Sequence, residues 1–178
     1  MACKHLLLKS IVLIFLFIFF SCKLEDKSVK KPSVMPSKES LEEVNRILVS
    51  KDAEQIRSYI DRRGWEMKQS ESGLWFLIYV DGEGTLIKKS DRIRFNFEVH
   101  LLNGTLCYSS EKLGVKSFVV GSGGVESGIE EGVLMLRKGS KARFILPPHL
   151  AHGLIGDENR IPARASIVYD IEILEIEE

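Results

Sequence analysis

From Arg92 to Leu101 the chain alternates without a break: Ile93, Phe95, Phe97, Val99 and Leu101 fall between Arg92, Arg94, Asn96, Glu98 and His100. Successive side chains of a strand point to opposite faces, so this segment predicts a strand buried on one face only. Asn103-Gly104 follows and predicts a hairpin, because both residues tolerate positive φ. Thr105 to Tyr108 returns as the next strand. Upstream, Trp65-Glu66-Met67-Lys68 alternates, Leu74 to Val80 is a dense apolar run, and Asp81-Gly82-Glu83-Gly84 reads as a turn. Downstream, Phe118 to Val120 is a short apolar strand, and Ala142, Phe144 and Leu146 alternate with Arg143 and Ile145. Ile167, Tyr169, Ile171 and Ile173 make a last strand with Asp170 and Glu172 facing water. Only residues 128 to 136 switch to helical spacing here, with Ile129, Val133 and Leu136 on one side and Gly139 as the stop. The fold class is therefore α+β, a strongly bent antiparallel sheet wrapped on one short α-helix.

A helical segment precedes this sheet. Between Ser37 and Arg63, Leu41, Val44 and Leu48, then Ile56, Tyr59 and Ile60, recur at steps of three and four. Ser40 with Glu43 has the spacing of a capping box, and Ser50 or Asp52 can restart a helix. Arg62 and Arg63 before Gly64 form a C-terminal stop. The pattern fits two short helices or one bent helix. Either has an apolar stripe in need of a partner, the domain's own sheet or the same helix of a second subunit.

Ahead of residue 37 the pattern changes twice. Ile11 to Phe20 is an apolar run behind Lys4 and Lys9. Ten helical residues span about 15 Å at 1.5 Å each, half of a bilayer core of about 30 Å. A short apolar core behind a basic start is the signature of a secretory signal peptide; an uncleaved anchor helix is the alternative. Phe19-Phe20-Ser21-Cys22 resembles a bacterial lipoprotein box, although Leu is commoner than Phe at position 19. That resemblance implies a signal peptide over residues 1–21 and lipidation of Cys22. Residues 22–36, rich in Lys, Ser and Pro, form a tether unable to bury a core. Helices over 37–64 and a domain over 65–178 complete the organisation. Of the three cysteines, Cys3 leaves with the signal and Cys22 carries lipid, so Cys107 has no disulfide partner and reads as a small buried hydrophobe. Charge changes the picture little: 25 basic and 25 acidic side chains give no reason to expect nucleic acid.

Several motifs then fall in register with one family. They are Asn103-Gly104-Thr105, Ser109-Ser110, Gly128-Ile129-Glu130-Glu131-Gly132, Gly139, Ala151-His152-Gly153 and Ile161-Pro162. Over about residues 72 to 177 the chain resembles the FKBP-type peptidyl-prolyl cis-trans isomerases. Arg63-Gly64-Trp65, Glu71-Ser72-Gly73-Leu74 and Tyr108 to Val115 are similar to a narrower group, the gliding-motility-associated FKBP-like lipoproteins. The resemblance implies a pocket for the proline ring and no cofactor or metal.

Position by position, it implies catalytic roles for Phe97, Tyr108, Glu126, Ile129, His152 and Tyr169, and substrate-binding roles for Cys107, Val125 and Ile161. Val125 and Ile161 match the family pattern. Phe97 stands for a Tyr, Cys107 for a wall Phe, Tyr108 for an Asp and Ile129 for a floor aromatic, commonly Trp. His152 stands for a Tyr, Tyr169 for a Phe, and Glu126 for an aliphatic residue whose backbone N–H holds the substrate carbonyl. Aromatic walls and polar handles are lost, which implies reduced isomerase activity.

Other constellations have plainer readings. His149 and His152 have metal-like spacing but no third ligand. Gly121-Ser122-Gly123-Gly124 lacks the Lys-Ser/Thr of a phosphate loop and reads as a flexible entry to the helix, whose Glu130 and Glu131 offset its dipole. Lys138, Lys141 and Arg143 form a solvated face. The expected protein is a lipid-anchored envelope isomerase or foldase acting on proline-containing exported proteins. Its expected place is the outer membrane facing the periplasm, with surface exposure as a second option. The alternative is a non-catalytic envelope chaperone or binding scaffold. A homodimer through the N-terminal helices is the expected assembly.

Overall fold

A computed structural model describes residues 37–177. The signal peptide, the lipidated Cys22 and the tether expected over residues 1–36 lie outside the described residues. Among those described, no helix is long and apolar enough to cross a membrane.

The alternating segment becomes the hub of the sheet. In chain order the elements are α1 (Lys38–Arg63), β1 (Lys68–Gln69), β2 (Trp75–Val80), β3 (Arg92–Leu101), β4 (Leu106–Ser109), α2 (Ser110–Leu113), β5 (Lys116–Val119), α3 (Ser127–Val133), β6 (Lys141–Leu146), a 3-10 turn (Pro148–Leu150) and β7 (Ile167–Glu177). The strands lie in the order β1-β2-β6-β7-β3-β4, all antiparallel, and β5 also pairs with β3. β3 pairs along its whole length with β7, from Arg92↔Glu177 to Leu101↔Ile167. Register shifts at Ile78/Val80, Arg94/Phe95 and Val99/His100 mark bulges, the device that bends a sheet around a helix. The hairpin after β3 forms as expected: Gly104 has φ +90° and Asn103 Oδ1 accepts from Thr105 N at 2.9 Å.

α3 fills the concave face. The helix ends at Val133, short of the Leu136 expected from the spacing; Ile129 and Val133 on it, and Leu136 in the turn beyond, are buried there with Phe95, Phe118, Phe144 and Tyr169. Each such side chain contributes about 1.5–3 kcal/mol by leaving water. Two glycines set the distance: a Cβ on Gly128 would lie 2.7 Å from Leu146 Cγ, and one on Gly132 2.8 Å from Phe144 Cζ. The glycine loop before α3 is held rather than loose, contrary to the flexible entry expected from its sequence. Gly121 N and Gly123 N donate to the Glu130 carboxylate at 2.6 and 2.9 Å.

The opposite face decides between the alternatives left open for the N-terminal segment. α1 is one helix that begins at Lys38, so Ser40 lies inside its first turn rather than ahead of it, and Ser50 and Asp52 do not restart it. Its second half packs on the domain's own sheet: Ile56, Tyr59 and Ile60 cluster with Ile145 and Val168, flanked by Trp65, Met67, Trp75 and Leu102. Asp52 and Arg164, 2.7 Å apart, tie the helix to the loop before β7. Trp65, expected in a strand, instead sits edge-on to Tyr59 with Arg143 over its ring at 4.0 Å. Its first half keeps Leu41 and Val44 more than half exposed. The short α2 was not expected; it interrupts one edge of the sheet between β4 and β5.

Candidate functional site

That interruption makes a hollow. β4 pairs with the end of β3 (Glu98–His100) and β5 with its beginning (Arg92–Phe95), so residues 110–115 bridge a gap beside Asn96 and Phe97. Phe97, Val99 and Tyr169 are carried in by the inward period of β3 and β7, and Tyr108 by β4. α2 and its exit supply Leu113, Gly114 and Val115, β5 supplies Lys116, the start of α3 supplies Glu126, and the turn after the 3-10 segment supplies His152. Together they line a cavity of about 370 Å³, within the usual range for a small-molecule or side-chain site.

Five of the nine residues expected at the site therefore meet: Phe97, Tyr108, Glu126, His152 and Tyr169. The other four stand elsewhere. Ile129 is wholly buried in the same core cluster as the cavity residues Phe97 and Tyr169. Cys107 is buried too, with Sγ 3.6 Å from Arg160 O, and burial pushes its thiol pKa up. Ile161 is a core residue, and Val125 faces a separate shallow hollow with Lys89 and Gly121. The helix-exit residues and Lys116 were not expected, because only the break in the edge strand turns them inward.

Asp157 was missed as well. Its carboxylate accepts from Tyr108 Oη, from Ile161 N at 2.7 Å and from Asn159 N at 3.0 Å. It thereby fastens the loop 153–165 to the cavity wall. Burial pushes this carboxyl up, but the bonds from Tyr108, Ile161 and Asn159 outweigh it and hold the pKa below the usual value. The same hydrogen bond, with burial, raises the Tyr108 phenol. The local signal was an Asx turn, Asp157 reaching two residues ahead.

The electrostatics of the wall are uneven. Phe97 and Tyr169 rings lie 5.9 Å apart and tilted, an apolar surface for a flat ring. Burial, and then the Glu126 charge, push the Tyr169 phenol well up, so it stays neutral. Against this surface stand three ionisable groups. His152 Nε2 is 3.2 Å from Glu126 Oε1, and Lys116 Nζ is 3.9 Å from Glu126 Oε2. The first approach is close but not aligned as a hydrogen bond: His152 Nε2 and Glu126 Oε2 are buried without a hydrogen-bond partner among the described residues. His149, which shares its metal-like spacing with His152, instead donates to Ser72 O at 2.9 Å. A roomier hollow of about 580 Å³ lies over the other sheet face, around Tyr79 and Asn96. It is a trough of cross-strand ion pairs such as Arg143–Asp170 (2.8 Å) and Lys141–Glu172 (3.0 Å), open to water.

Fold and cavity together define a class: an α+β domain whose bent sheet and short helix hold a side-chain-sized pocket with an aromatic wall. Comparison with known proteins names that class. Residues 83–174, just over half of the chain, match the family described as FKBP-type peptidyl-prolyl cis-trans isomerase. The chain belongs to this family. It is 39% identical over 92 residues to human "Peptidyl-prolyl cis-trans isomerase FKBP9", covering 51% of this chain and 16% of that one. It is 38% identical over 122 residues to "FKBP-type peptidyl-prolyl cis-trans isomerase FkpA" of Buchnera aphidicola subsp. Schizaphis graminum, covering 68% and 47%. The chain thus spans from about a sixth to about half the length of these relatives. Among solved structures, FkpA from Escherichia coli superposes with a TM-score of 0.61 at 25% identity, over 80% of this chain and 74% of that one.

Proposed function

We propose that this protein is a peptidyl-prolyl cis-trans isomerase or foldase of the bacterial envelope. On this reading it is anchored by lipid at Cys22 in the outer membrane, faces the periplasm and acts on exported proteins. The observation that carries the activity is the cavity bounded by Phe97, Tyr108 and Tyr169 on a fold of the isomerase family. Rotation about the bond before proline faces a barrier of about 18–20 kcal/mol and takes tens of seconds or longer unaided. It needs neither nucleophile nor redox partner. An apolar wall favours the twisted imide, whose broken resonance makes it less polar, and every 1.36 kcal/mol gained in that state is tenfold in rate. The Phe97–Tyr169 surface provides that wall for the proline ring.

The activity is reduced on ordinary apolar peptides, because Lys116, Glu126 and His152 place polar atoms where the ring must desolvate them. The same three groups favour a second reading, a non-catalytic binding protein that uses the pocket as a docking site. A protease-coupled isomerisation assay of the full chain in detergent separates the two. Catalysis above the uncatalysed rate for at least one residue before proline is expected; the background rate for all of them would leave only the second. The exposed stripe of α1, Leu41 and Val44, pairs two copies into a homodimer on this reading.

A further inference from the structure

We propose that the Glu126 carboxylate makes this pocket selective for a cationic residue, arginine above all, immediately before the proline that it turns. The inference rests on the isomerase reading and gives it a substrate class. Glu126 occupies the N-cap position of α3, with extended backbone at φ −60° and ψ 141°, and makes no side-chain cap hydrogen bond. A capping Asp there would turn back to the helix amides. Glu126 turns into the cavity, where its side chain is only 10% exposed.

A carboxylate so placed must be compensated, since burying an unpaired charge is strongly unfavourable. The compensation is incomplete. His152 stands beside Oε1 without an aligned hydrogen bond, and Oε2 has no hydrogen-bond partner among the described residues. Lys116 Nζ stops 3.9 Å from Oε2, beyond hydrogen-bond reach, and its side chain is 33% exposed. Asp157 lies behind His152 and Tyr108, committed to the loop backbone and the Tyr108 hydroxyl. The cavity wall therefore holds one buried acceptor oxygen without a hydrogen bond and, beside it, one loosely held cation that can return to water.

A substrate seals the mouth, and its chemistry then decides the outcome. A guanidinium beside the proline supplies a charged N–H donor to Oε2 while Lys116 moves to solvent. An apolar residue covers the carboxylate without bonding it. An acidic residue adds like charge in a site shielded from water.

The experiment measures kcat/KM of the full chain in detergent on three peptides differing only in the residue before proline: Arg, Leu and Glu. The expected order is Arg, Leu, Glu, with Arg over Leu by about tenfold. Glu126→Gln keeps the size and removes the charge, and should collapse the Arg/Leu ratio, with an unchanged circular dichroism spectrum showing intact folding. Leu turned over as well as Arg, or a ratio that survives Glu126→Gln, would overturn the inference while the isomerase reading stands. With no turnover of any peptide the isomerase reading falls, and calorimetric titration of the same peptides still decides the selectivity. Tighter binding of the Arg peptide supports it; equal or no binding overturns it.

Discussion

At the scale of single residues, the pocket is organised by two carboxylates that differ in how well they are satisfied. Asp157 has three donors, while Glu126 has an oxygen with none among the described residues. Asp157 therefore leads to a prediction about pH. Its carboxyl is held below the usual value, so its stabilisation of loop 153–165 is fully present above the unfolded pKa of about 3.9. It is lost as pH falls through the lower folded value. Hydrogen exchange at the Ile161 amide, or thermal unfolding followed from about pH 6 down to pH 3, should show this acid loss in the natural protein. Asp157→Asn should be less stable at neutral pH and lack that acid component. An identical pH dependence in both would remove Asp157 as the fastener. Phe97 and Tyr169 were legible in the sequence, since alternation alone fixes the face of a strand residue. Lys116 and the inward turn of Glu126 were not, because each depends on what the neighbouring element leaves open.

At the scale of elements, the short helix α3 governs the packing. Seven residues suffice because two of them are glycines pressed against the sheet. Gly132→Ala tests this. Helix propensity alone would favour alanine by about 1 kcal/mol. The new Cβ would meet three ring atoms of Phe144 at 2.8 to 3.1 Å, and that ring is fully buried with no room to retreat. Overpacking of this kind costs about 1–3 kcal/mol, so a net loss of stability is expected in chemical denaturation. A more stable variant would show that the helix can lift off the sheet freely. The 3.6-residue spacing announced α3 and its apolar side. That spacing also announced α1, but it could not say whether the helix was broken or what it covered.

At the scale of the whole molecule, α1 is used in two ways along its length. Ile56, Tyr59 and Ile60 close the outer face over Ile145 and Val168, while Leu41, Val44 and Ile47 stay largely in water. The first set belongs to the domain's stability; for the second we propose a role in assembly. Light scattering on the full chain in detergent should give a dimer, and Leu41→Glu with Val44→Glu should give a monomer without loss of thermal stability. A monomer before and after the change would end the dimer reading.

The sequence by itself determined the sheet, its hairpin and the short helix, because period, turn chemistry and glycine spacing are local properties that survive without neighbours. It also pointed to Cys107 as a small buried hydrophobe, and the thiol is indeed buried and free of a disulfide among the described residues. Only the tertiary structure decided which side chains share the cavity. The break between β4 and β5 admits Lys116, the packing of α3 sinks Ile129 into the core, and the start of that helix aims Glu126 inward. It alone decided, too, that Ile145 is covered: on a strand alternating with Arg143 it read as outward, and outward it is, but α1 lies there. Burial is settled by what packs against a face, and periodicity reports the face alone.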